Sequence, residues 1–375
     1  GIFKAHSLHR DLLLESPDLK FNTPSDIGML RDEIKSCGSL LRQHQNVIAG
    51  PNIHIKGEVV HQIIEWSLSE NTTVKNVAML LDQAGMGKSV VMRDVLLGLE
   101  NRNVDTLAIK ADQQLSETID LSDIQRKLGF SYPLEQIISR LAKLNRVVIL
   151  IDQIDALSLS LAHDQQSMNV TIDLVARLRQ IPNVRILLSC RIFDRNTDPR
   201  LKAIETDQVF SIPRLSEAEV NGVLNTLRVN YSQLTPATKD LLGIPLHLDL
   251  FARALDSNDI GFEKLRGISS LQELYALIWQ NVIVRSEIGS PPISDRIDVI
   301  NRLTGFMDSR QRTSAPQSVL QTSETRHLER AVNWLASTGI LIRGKTDWNF
   351  IHQTFFDYCY ARRFVEQGNN IFETL

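Results

Sequence analysis

The stretch from Val77 to Met92, VAMLLDQAGMGKSVVM, decides the fold. An apolar strand leads into a short turn that contains Gly85 and Gly87, and Lys88 and Ser89 then begin a run with helical spacing. Such a turn directs backbone N–H groups inward, and the start of the helix adds about half a positive charge. The pattern predicts a P-loop that binds phosphate, with Lys88 at the β- and γ-phosphates and the Ser89 hydroxyl on Mg²⁺.

The entry to this loop differs from the usual pattern, because Asp82 occupies the position of the first glycine. Aspartate tolerates unusual backbone angles better than most residues, but less well than glycine. No reason for Asp82 is visible in the sequence. We expect ATP or ADP to contact six consecutive residues of the loop: Gly85, Met86, Gly87, Lys88, Ser89 and Val90.

Length and composition restrict the class of protein. A chain of 375 residues is expected to form two or three domains, and its 43% hydrophobic content argues against disorder. The net charge of −3 argues against a protein that binds polyanions over its whole surface. Three distant cysteines predict neither a disulfide framework nor a zinc site, so we expect a cytoplasmic protein. No apolar run is long enough to predict a membrane span.

Short apolar runs separated by helical segments predict a parallel sheet. The predicted strands are 77–81, 106–111, 147–151, 184–188 and 209–212. None of them alternates with polar residues, which is typical of buried parallel strands. Strands and helices in this order predict a doubly wound sheet that binds its ligand at the carboxyl ends of the strands.

The chain divides into four predicted parts. The fold class is α/β, a P-loop (AAA-like) parallel sheet domain followed by a helical domain and a winged-helix domain. The predicted boundaries are 1–50 for an N-terminal helical segment or linker, 51–213 for the P-loop domain, 214–310 for the helical domain and 311–375 for the winged helix. The chain begins at Gly1 without methionine, so we expect a piece of a longer polypeptide.

A second strand supplies the other half of the nucleotide site. The run from Val147 to Ile151 is apolar and ends in Asp152, which is expected to bind Mg²⁺ together with Ser89. Many ATPases carry a glutamate directly after this aspartate, but here the residue is Gln153, which cannot accept a proton at neutral pH. Asp155 is the best remaining carboxylate to polarise water, so we expect slow ATP hydrolysis.

The strand at 184–188 also ends in polar residues, Ser189 and Arg191. A strand beside the one that ends in Asp152 would direct one of these two toward the γ-phosphate. Arginine can bind phosphate, or the carboxylate of Asp155, in a bidentate manner. A surface arginine after a core strand explains Arg191 equally well.

Several motifs in order resemble the STAND class of signalling NTPases, which includes NACHT and NB-ARC proteins. The resemblance covers roughly residues 50 to 368. The motifs that carry it are Ile55-Lys56-Gly57-Glu58, Gln83-Ala84-Gly85-Met86-Gly87-Lys88-Ser89, Asp152-Gln153-Ile154-Asp155-Ala156-Leu157, Ser189-Cys190-Arg191, Gly243-Ile244-Pro245-Leu246 and Phe350-Ile351-His352-Gln353-Thr354-Phe355-Phe356-Asp357-Tyr358. Ala156 stands where the family has a glutamate.

The resemblance implies roles for individual residues. It implies that the stretch around Ile55 contacts adenine, that Pro245 packs on adenine, and that Arg191 is the sensor arginine. It also implies that His352 touches the β-phosphate of ADP in the closed form. Without the resemblance, His352 would be interpreted as a packed or solvent-facing histidine.

The resemblance implies a switch that is off with ADP and on with ATP, and that forms homo-oligomers when active. Sensor and effector domains would lie outside this chain, and bacterial relatives commonly serve antiviral defence or signalling. The alternative is a DNA-binding AAA-like ATPase of the origin-recognition or transposition-regulator type. Its recognition helix would carry Arg326 and Arg330, but Glu324 and Glu329 beside them make a weak surface for DNA phosphates.

Overall fold

The computed structural model describes residues 27–43, 58–70, 76–157, 164–256, 265–286, 289–310, 312–344 and 346–366. Ile55, the predicted adenine contact, lies outside these ranges. Of the predicted N-terminal segment, only residues 27–43 are described. No helix in these ranges is long and apolar enough to cross a membrane.

A five-stranded parallel sheet forms the centre of the first region. The strands are β1 (Val77–Asp82), β2 (Asp105–Lys110), β3 (Val147–Asp152), β4 (Val184–Arg191) and β5 (Gln208–Phe210). Their order is β2-β3-β4-β1-β5, so β4 lies between the P-loop strand and the strand that ends in Asp152. Each predicted apolar run forms a strand, and the predicted P-loop α/β fold is confirmed.

Helices cover this sheet and connect its strands. In the described ranges they are α1 (Ile27–Cys37), α2 (Ser39–Arg42), α3 (Glu58–Leu68), α4 (Lys88–Glu100), α5 (Ala111–Gln114), α6 (Leu121–Leu128), α7 (Leu134–Ala142), α8 (Asp164–Leu178), α9 (Ile192–Thr197) and α10 (Pro199–Ala203). A short 3₁₀ turn, Ile154–Leu157, follows β3.

The apolar side chains of the strands form two clusters, one on each face of the sheet. One cluster joins helix α4 to Ala78, Ala108, Leu150 and Leu187, and the other cluster covers the opposite face of the sheet. Successive side chains of a strand point to opposite faces. The polar residues that end four of the strands therefore share the face of α4: Asp82, Lys110, Asp152, Ser189 and Arg191.

The region after β5 is helical, as predicted. Its helices are α11 (Glu217–Thr226), α12 (Pro236–Leu242), α13 (Pro245–Asp256), α14 (Leu271–Ile278) and α15 (Ile293–Ser309), and a π turn, Trp279–Ile283, extends α14. These helices occupy the range 214–310 for which the sequence predicts a helical domain.

The last part contains a small antiparallel sheet and two helices. These elements are β6 (Ala315–Pro316), α16 (Glu329–Ser337), β7 (Leu341–Arg343), β8 (Asp347–Phe350) and α17 (Gln353–Glu366). The sheet order is β6-β8-β7, with β8 antiparallel to both of its neighbours, and β6 contributes only two residues. One apolar cluster contains residues from Leu215 to Cys359 and so extends across residue 310. The domain boundary at this residue stays a prediction.

Candidate nucleotide-binding site

The P-loop joins β1 to α4, and two glycines give it its shape. Gly85 and Gly87 have φ angles of +85° and +90°, which residues with a Cβ atom rarely adopt. Gly87 caps α4, and its carbonyl oxygen accepts a hydrogen bond from the Val91 N–H at 3.0 Å. Helix geometry leaves the N–H groups of the first turn without an acceptor inside the helix, and such groups bind phosphate.

Two of the predicted contacts turn their side chains away from the ligand side. Met86 and Val90 are buried in the apolar cluster between the sheet and α4. These residues anchor the loop, so only their backbone N–H groups would face a nucleotide.

The Lys88 ammonium group lies against the loop. Its Nζ donates hydrogen bonds to the backbone oxygens of Asp82 and Gln83, at 2.9 and 2.8 Å. Burial lowers the pKa of Lys88, and the nearby carboxylate of Asp155 opposes this shift. A lysine held by two neutral carbonyl groups can exchange them for charged phosphate oxygens, which form stronger hydrogen bonds.

The structure supplies a reason for Asp82. One of its carboxylate oxygens accepts a hydrogen bond from the Gln83 N–H at 2.9 Å, and the other accepts one from the Ile212 N–H at 2.8 Å. The second bond ties the entry of the P-loop to the segment that follows β5. Glycine could not make this connection, so Asp82 fixes the loop by a side-chain hydrogen bond.

Asp152 is completely buried at the end of β3. One of its oxygens accepts a hydrogen bond from the Ser189 hydroxyl at 2.5 Å, and the other has no hydrogen-bond partner among the described residues. A carboxylate oxygen of this kind and the Ser89 hydroxyl fit Mg²⁺, which prefers a few protein oxygens together with phosphate and water. Bound there, Mg²⁺ would neutralise phosphate charge.

Gln153 connects the two sides of the site. Its φ angle is +58°, an uncommon value for a residue that is not glycine. Its backbone N–H donates to the Ser189 hydroxyl at 2.8 Å, and its side-chain amide donates to the Ser89 hydroxyl at 3.1 Å. The residue at the position of the usual catalytic glutamate therefore holds the predicted magnesium ligand and cannot take up a proton.

Asp155 and Arg191 form an ion pair with an N–O distance of 3.2 Å. Burial raises the pKa of Asp155 to about 6, although the charges of Arg191 and Lys88 oppose the shift. The Arg191 guanidinium also donates a hydrogen bond to the side-chain oxygen of Gln353, the first residue of α17. Arg191 thus contacts both the 3₁₀ turn that follows β3 and the last helix of the winged-helix part.

The motif from Gly243 to Leu246 lies directly on the P-loop. The Leu246 N–H donates a hydrogen bond to the Gly85 carbonyl oxygen at 3.2 Å. A Cβ atom at Gly85 would lie 3.0 Å from the Leu246 side chain, so only glycine permits this approach. Pro245 is buried and begins α13 beside the loop, at the place where an adenine contact is predicted.

His352 precedes α17 and caps it. Its Nδ1 accepts a hydrogen bond from the Thr354 N–H at 3.2 Å and lies 2.8 Å from the Thr354 hydroxyl. His352 therefore acts as a helix cap. Its contact with a β-phosphate stays a prediction. Its neighbour Gln353 is the residue that reaches Arg191.

Two contact residues were not singled out from the sequence. Gln353 and Leu246 each directly follow a residue that was, His352 and Pro245. Both lie within the motifs quoted above, but their partners Arg191 and Gly85 are distant along the chain and only the fold reveals these contacts.

Several solved structures of ATPases and origin-recognition proteins are similar to this chain in shape. No protein-family model and no curated protein matches the chain. The Walker-type ATPase PABY2304 of Pyrococcus abyssi is similar over 85% of this chain and 99% of its own, with 12% identity and a TM-score of 0.41. Cdc6p of Pyrobaculum aerophilum is similar over 89% and 99%, with 14% identity and a TM-score of 0.38. The Aeropyrum pernix ORC1 protein, solved in complex with DNA, is similar over 87% and 98%, with 16% identity and a TM-score of 0.41.

The strand order, the P-loop and the buried Asp152 together give the chain the architecture of a P-loop NTPase. This architecture implies a nucleotide ligand, which is usually bound with Mg²⁺.

Proposed function

We propose that this protein is a nucleotide-operated switch of the STAND type, which ADP keeps closed and ATP opens. The observation that supports the proposal best is the position of Arg191. One guanidinium group contacts Asp155 beside the P-loop and Gln353 of α17. A cation in this place can respond to the charge of a bound nucleotide and transmit the response to a second region.

The γ-phosphate is the part of ATP that would act on this arginine. Guanidinium groups bind phosphate oxygens in a bidentate manner and more strongly than they bind a neutral amide. In the proposal, Arg191 leaves Gln353 for the γ-phosphate, and the winged-helix part loses this contact. ADP has no γ-phosphate, so it keeps the contact, and the two nucleotides therefore have different affinities for the two arrangements.

The other contacts of the nucleotide belong to the same proposal. Pro245 would pack on adenine and His352 would touch the β-phosphate, as the STAND resemblance implies. The hydrogen bond between Gly85 and Leu246 supports a direct connection between the P-loop and the helical region. Mg²⁺ would be held by Ser89 and Asp152.

Hydrolysis is expected to be slow. Gln153 provides no base, and Asp155 and Arg191 are the groups that remain to polarise water and stabilise phosphate charge. We expect a turnover below about 1 per second, the low end for enzymes. Slow hydrolysis suits a switch that must stay active long enough to form homo-oligomers and to signal through sensor and effector domains outside this chain, as in antiviral defence.

Nucleotide content tests the proposal. The purified protein is denatured and the released nucleotide is identified and quantified. We expect ADP in wild type, its loss in Lys88→Ala, and wild-type content in the control Lys143→Ala, because Lys143 is exposed. Absence of nucleotide in wild type, with no affinity for added ATP, would reject the site, and unchanged content in Lys88→Ala would place the pocket elsewhere.

The second candidate is a DNA-binding ATPase of the origin-recognition type. The similar structures include an origin-recognition protein in complex with DNA, which agrees better with this candidate than with the STAND switch, although similarity of that size does not decide between them. Arg326 and Arg330 are exposed at the start of α16, the position of a recognition helix. Salt-dependent DNA binding that is lost in Arg326→Ala and Arg330→Ala would replace the switch proposal, and we expect no such binding.

A further inference from the structure

A chain of hydrogen bonds leads from the helical region to His352. The Tyr275 hydroxyl of α14 lies 2.6 Å from the Thr354 hydroxyl of α17, and the Thr354 hydroxyl lies 2.8 Å from Nδ1 of His352. Tyr275 and Thr354 are 79 residues apart in sequence, so only the packing of α14 against α17 brings them together. Two side-chain hydrogen bonds therefore connect the helical region to the histidine that is expected to touch a nucleotide.

The backbone decides which ring nitrogen of His352 carries a proton. The Thr354 N–H can only donate, and it donates to Nδ1 at 3.2 Å. A ring nitrogen that accepts a hydrogen bond has no proton of its own, so the proton of the neutral ring lies on Nε2. A ring protonated at both nitrogens would direct an N–H group of Nδ1 against the Thr354 N–H. The geometry therefore corresponds to a neutral His352 that is protonated at Nε2.

The same constraint gives the hydrogen-bond chain its direction. Because Nδ1 accepts, the Thr354 hydroxyl donates to it, and the Thr354 oxygen then accepts from the Tyr275 hydroxyl. Burial raises the pKa of Tyr275, so the phenol keeps the proton that it donates. Hydrogen bonds linked in series polarise one another, so the Tyr275 hydroxyl strengthens the bond that Thr354 makes to the ring.

Tyr275 is a fixed end for this chain. It is 2% exposed, and its ring lies 5.1 Å from that of Phe355 and 5.6 Å from that of Tyr358, measured between centroids. Both of these neighbours belong to α17. A ring that is packed in this way keeps its hydroxyl in one place, so the position of α14 against α17 determines whether the hydrogen bond to Thr354 forms.

We infer that the hydroxyls of Tyr275 and Thr354 hold His352 as a neutral ring protonated at Nε2, which serves as a hydrogen-bond donor to the β-phosphate of ADP. The contact with the phosphate rests on the proposed function, whereas the state of the ring does not. Tyr275 and Thr354 are positioning residues, because they act on ADP only through His352. The helical region thereby contributes to the retention of ADP.

Nitrogen-15 NMR of the full chain, labelled at histidine, tests the state of the ring. The signals of His352 are those that disappear in His352→Gln. In wild type at neutral pH we expect a pyridine-type Nδ1 and a pyrrole-type Nε2. In Thr354→Val the Nδ1 signal should move toward that of a nitrogen without a hydroxyl donor, and in Tyr275→Phe it should move the same way by less. Thr354→Ser keeps the hydroxyl and should leave the signal in place.

Nucleotide affinity tests the consequence for ADP. After bound nucleotide is removed, calorimetry gives the dissociation constants of ADP and of a non-hydrolysable ATP analogue. In the proposal only ADP contacts His352, so Tyr275→Phe and Thr354→Val should weaken ADP by about fivefold, the value of one neutral hydrogen bond, and should not weaken the analogue. A general structural defect would weaken both. Tyr360→Phe is the matched control, since Tyr360 is exposed on the same helix, and it should change neither.

The outcomes separate the inference from the proposed function. A wild-type His352 with its proton on Nδ1, or with both nitrogens protonated, overturns the inference, and so does an unchanged Nδ1 signal in folded Thr354→Val. If the two variants fail to fold, the wild-type signals decide alone. Shifted ring signals with unchanged ADP affinity would keep the hydrogen-bond chain and reject the β-phosphate contact of the proposed function.

Discussion

At the scale of single residues, Gln153 occupies the position where many P-loop ATPases carry a catalytic glutamate. Its amide donates a hydrogen bond to the predicted magnesium ligand Ser89, where a carboxylate would accept a proton from water. We expect Gln153→Glu to raise the ATPase rate by about a hundredfold, the lower range of general-base catalysis. Steady-state phosphate release measures the rate. Gln153→Ala is the control and should remain slow, and equal rates in both variants would show that the missing base is not what limits hydrolysis.

The raised pKa of Asp155 predicts a pH-dependent stability. An aspartate carboxyl group ordinarily has a pKa of 3.8, and burial raises that of Asp155 to about 6. Between these values the folded protein binds a proton at this site and the unfolded chain does not, so the contribution of Asp155 to the free energy of unfolding falls as pH rises through this window.

The matched variant is Asp155→Asn, which does not titrate. The free energy of unfolding of wild type minus that of the variant should fall by up to about 3 kcal/mol between pH 4 and 6 and stay constant above it. Denaturant unfolding at several pH values measures this difference. A difference that rises with pH would mean that the ion pair with Arg191 outweighs burial.

The residues of this site were partly predictable. The P-loop residues and Asp152 could be named because a strand, a glycine turn and a helix occur together in sequence. The role of Asp82 could not, since its partner Ile212 is brought close only by the pairing of β5 with β1. The same holds for Gln353, which reaches Arg191 from another region of the fold.

At the scale of elements, the contact between the P-loop and helix α13 depends on one glycine. Gly85 combines a φ of +85° with a Leu246 side chain 3.0 Å from the position that a Cβ atom would take. Gly129, which ends α6, has a φ of +73° and no neighbour within 4 Å of the same position. An alanine at Gly129 would therefore introduce backbone strain alone, whereas an alanine at Gly85 would add a steric conflict with Leu246.

We expect Gly129→Ala to cost about 1 kcal/mol of stability, the strain of a left-handed residue. Gly85→Ala should cost more, and it should also reduce the retained nucleotide, because the loop must move away from Leu246. Thermal unfolding and nucleotide content measure the two effects. Equal losses of stability with unchanged nucleotide content would show that the approach of Leu246 does not shape the loop.

The sequence predicts the elements better than it predicts their ends. The five strands were visible because buried parallel strands are continuous apolar runs, and the helices of the second region because their apolar positions recur. The strand Ala315–Pro316 was not visible, since two residues carry no periodicity. The predicted recognition helix would carry both Arg326 and Arg330, but the helix begins at Glu329 and Arg326 lies in the 3₁₀ turn before it. Apolar spacing in the sequence does not distinguish this turn from the helix.

At the scale of the whole molecule, contacts at separate places join the sheet to the rest of the chain. Gly85 bonds to Leu246, and Arg191 bonds to Gln353. Glu117, in the loop after α5, forms an ion pair with Arg312 at 2.5 Å. The ion pair between Glu117 and Arg312 is partly exposed to water, so it contributes little to stability. The other two contacts lie beside the P-loop, where the proposed nucleotide would bind.

The central claim is that the nucleotide controls whether the winged-helix part stays on the sheet. Small-angle X-ray scattering of the monomer fraction, with ADP and then with a non-hydrolysable ATP analogue, tests this claim most directly. We expect a larger radius of gyration with the analogue than with ADP, and the larger value with both nucleotides in Gln353→Ala. The same radius for wild type with both nucleotides, each confirmed as bound, would contradict it.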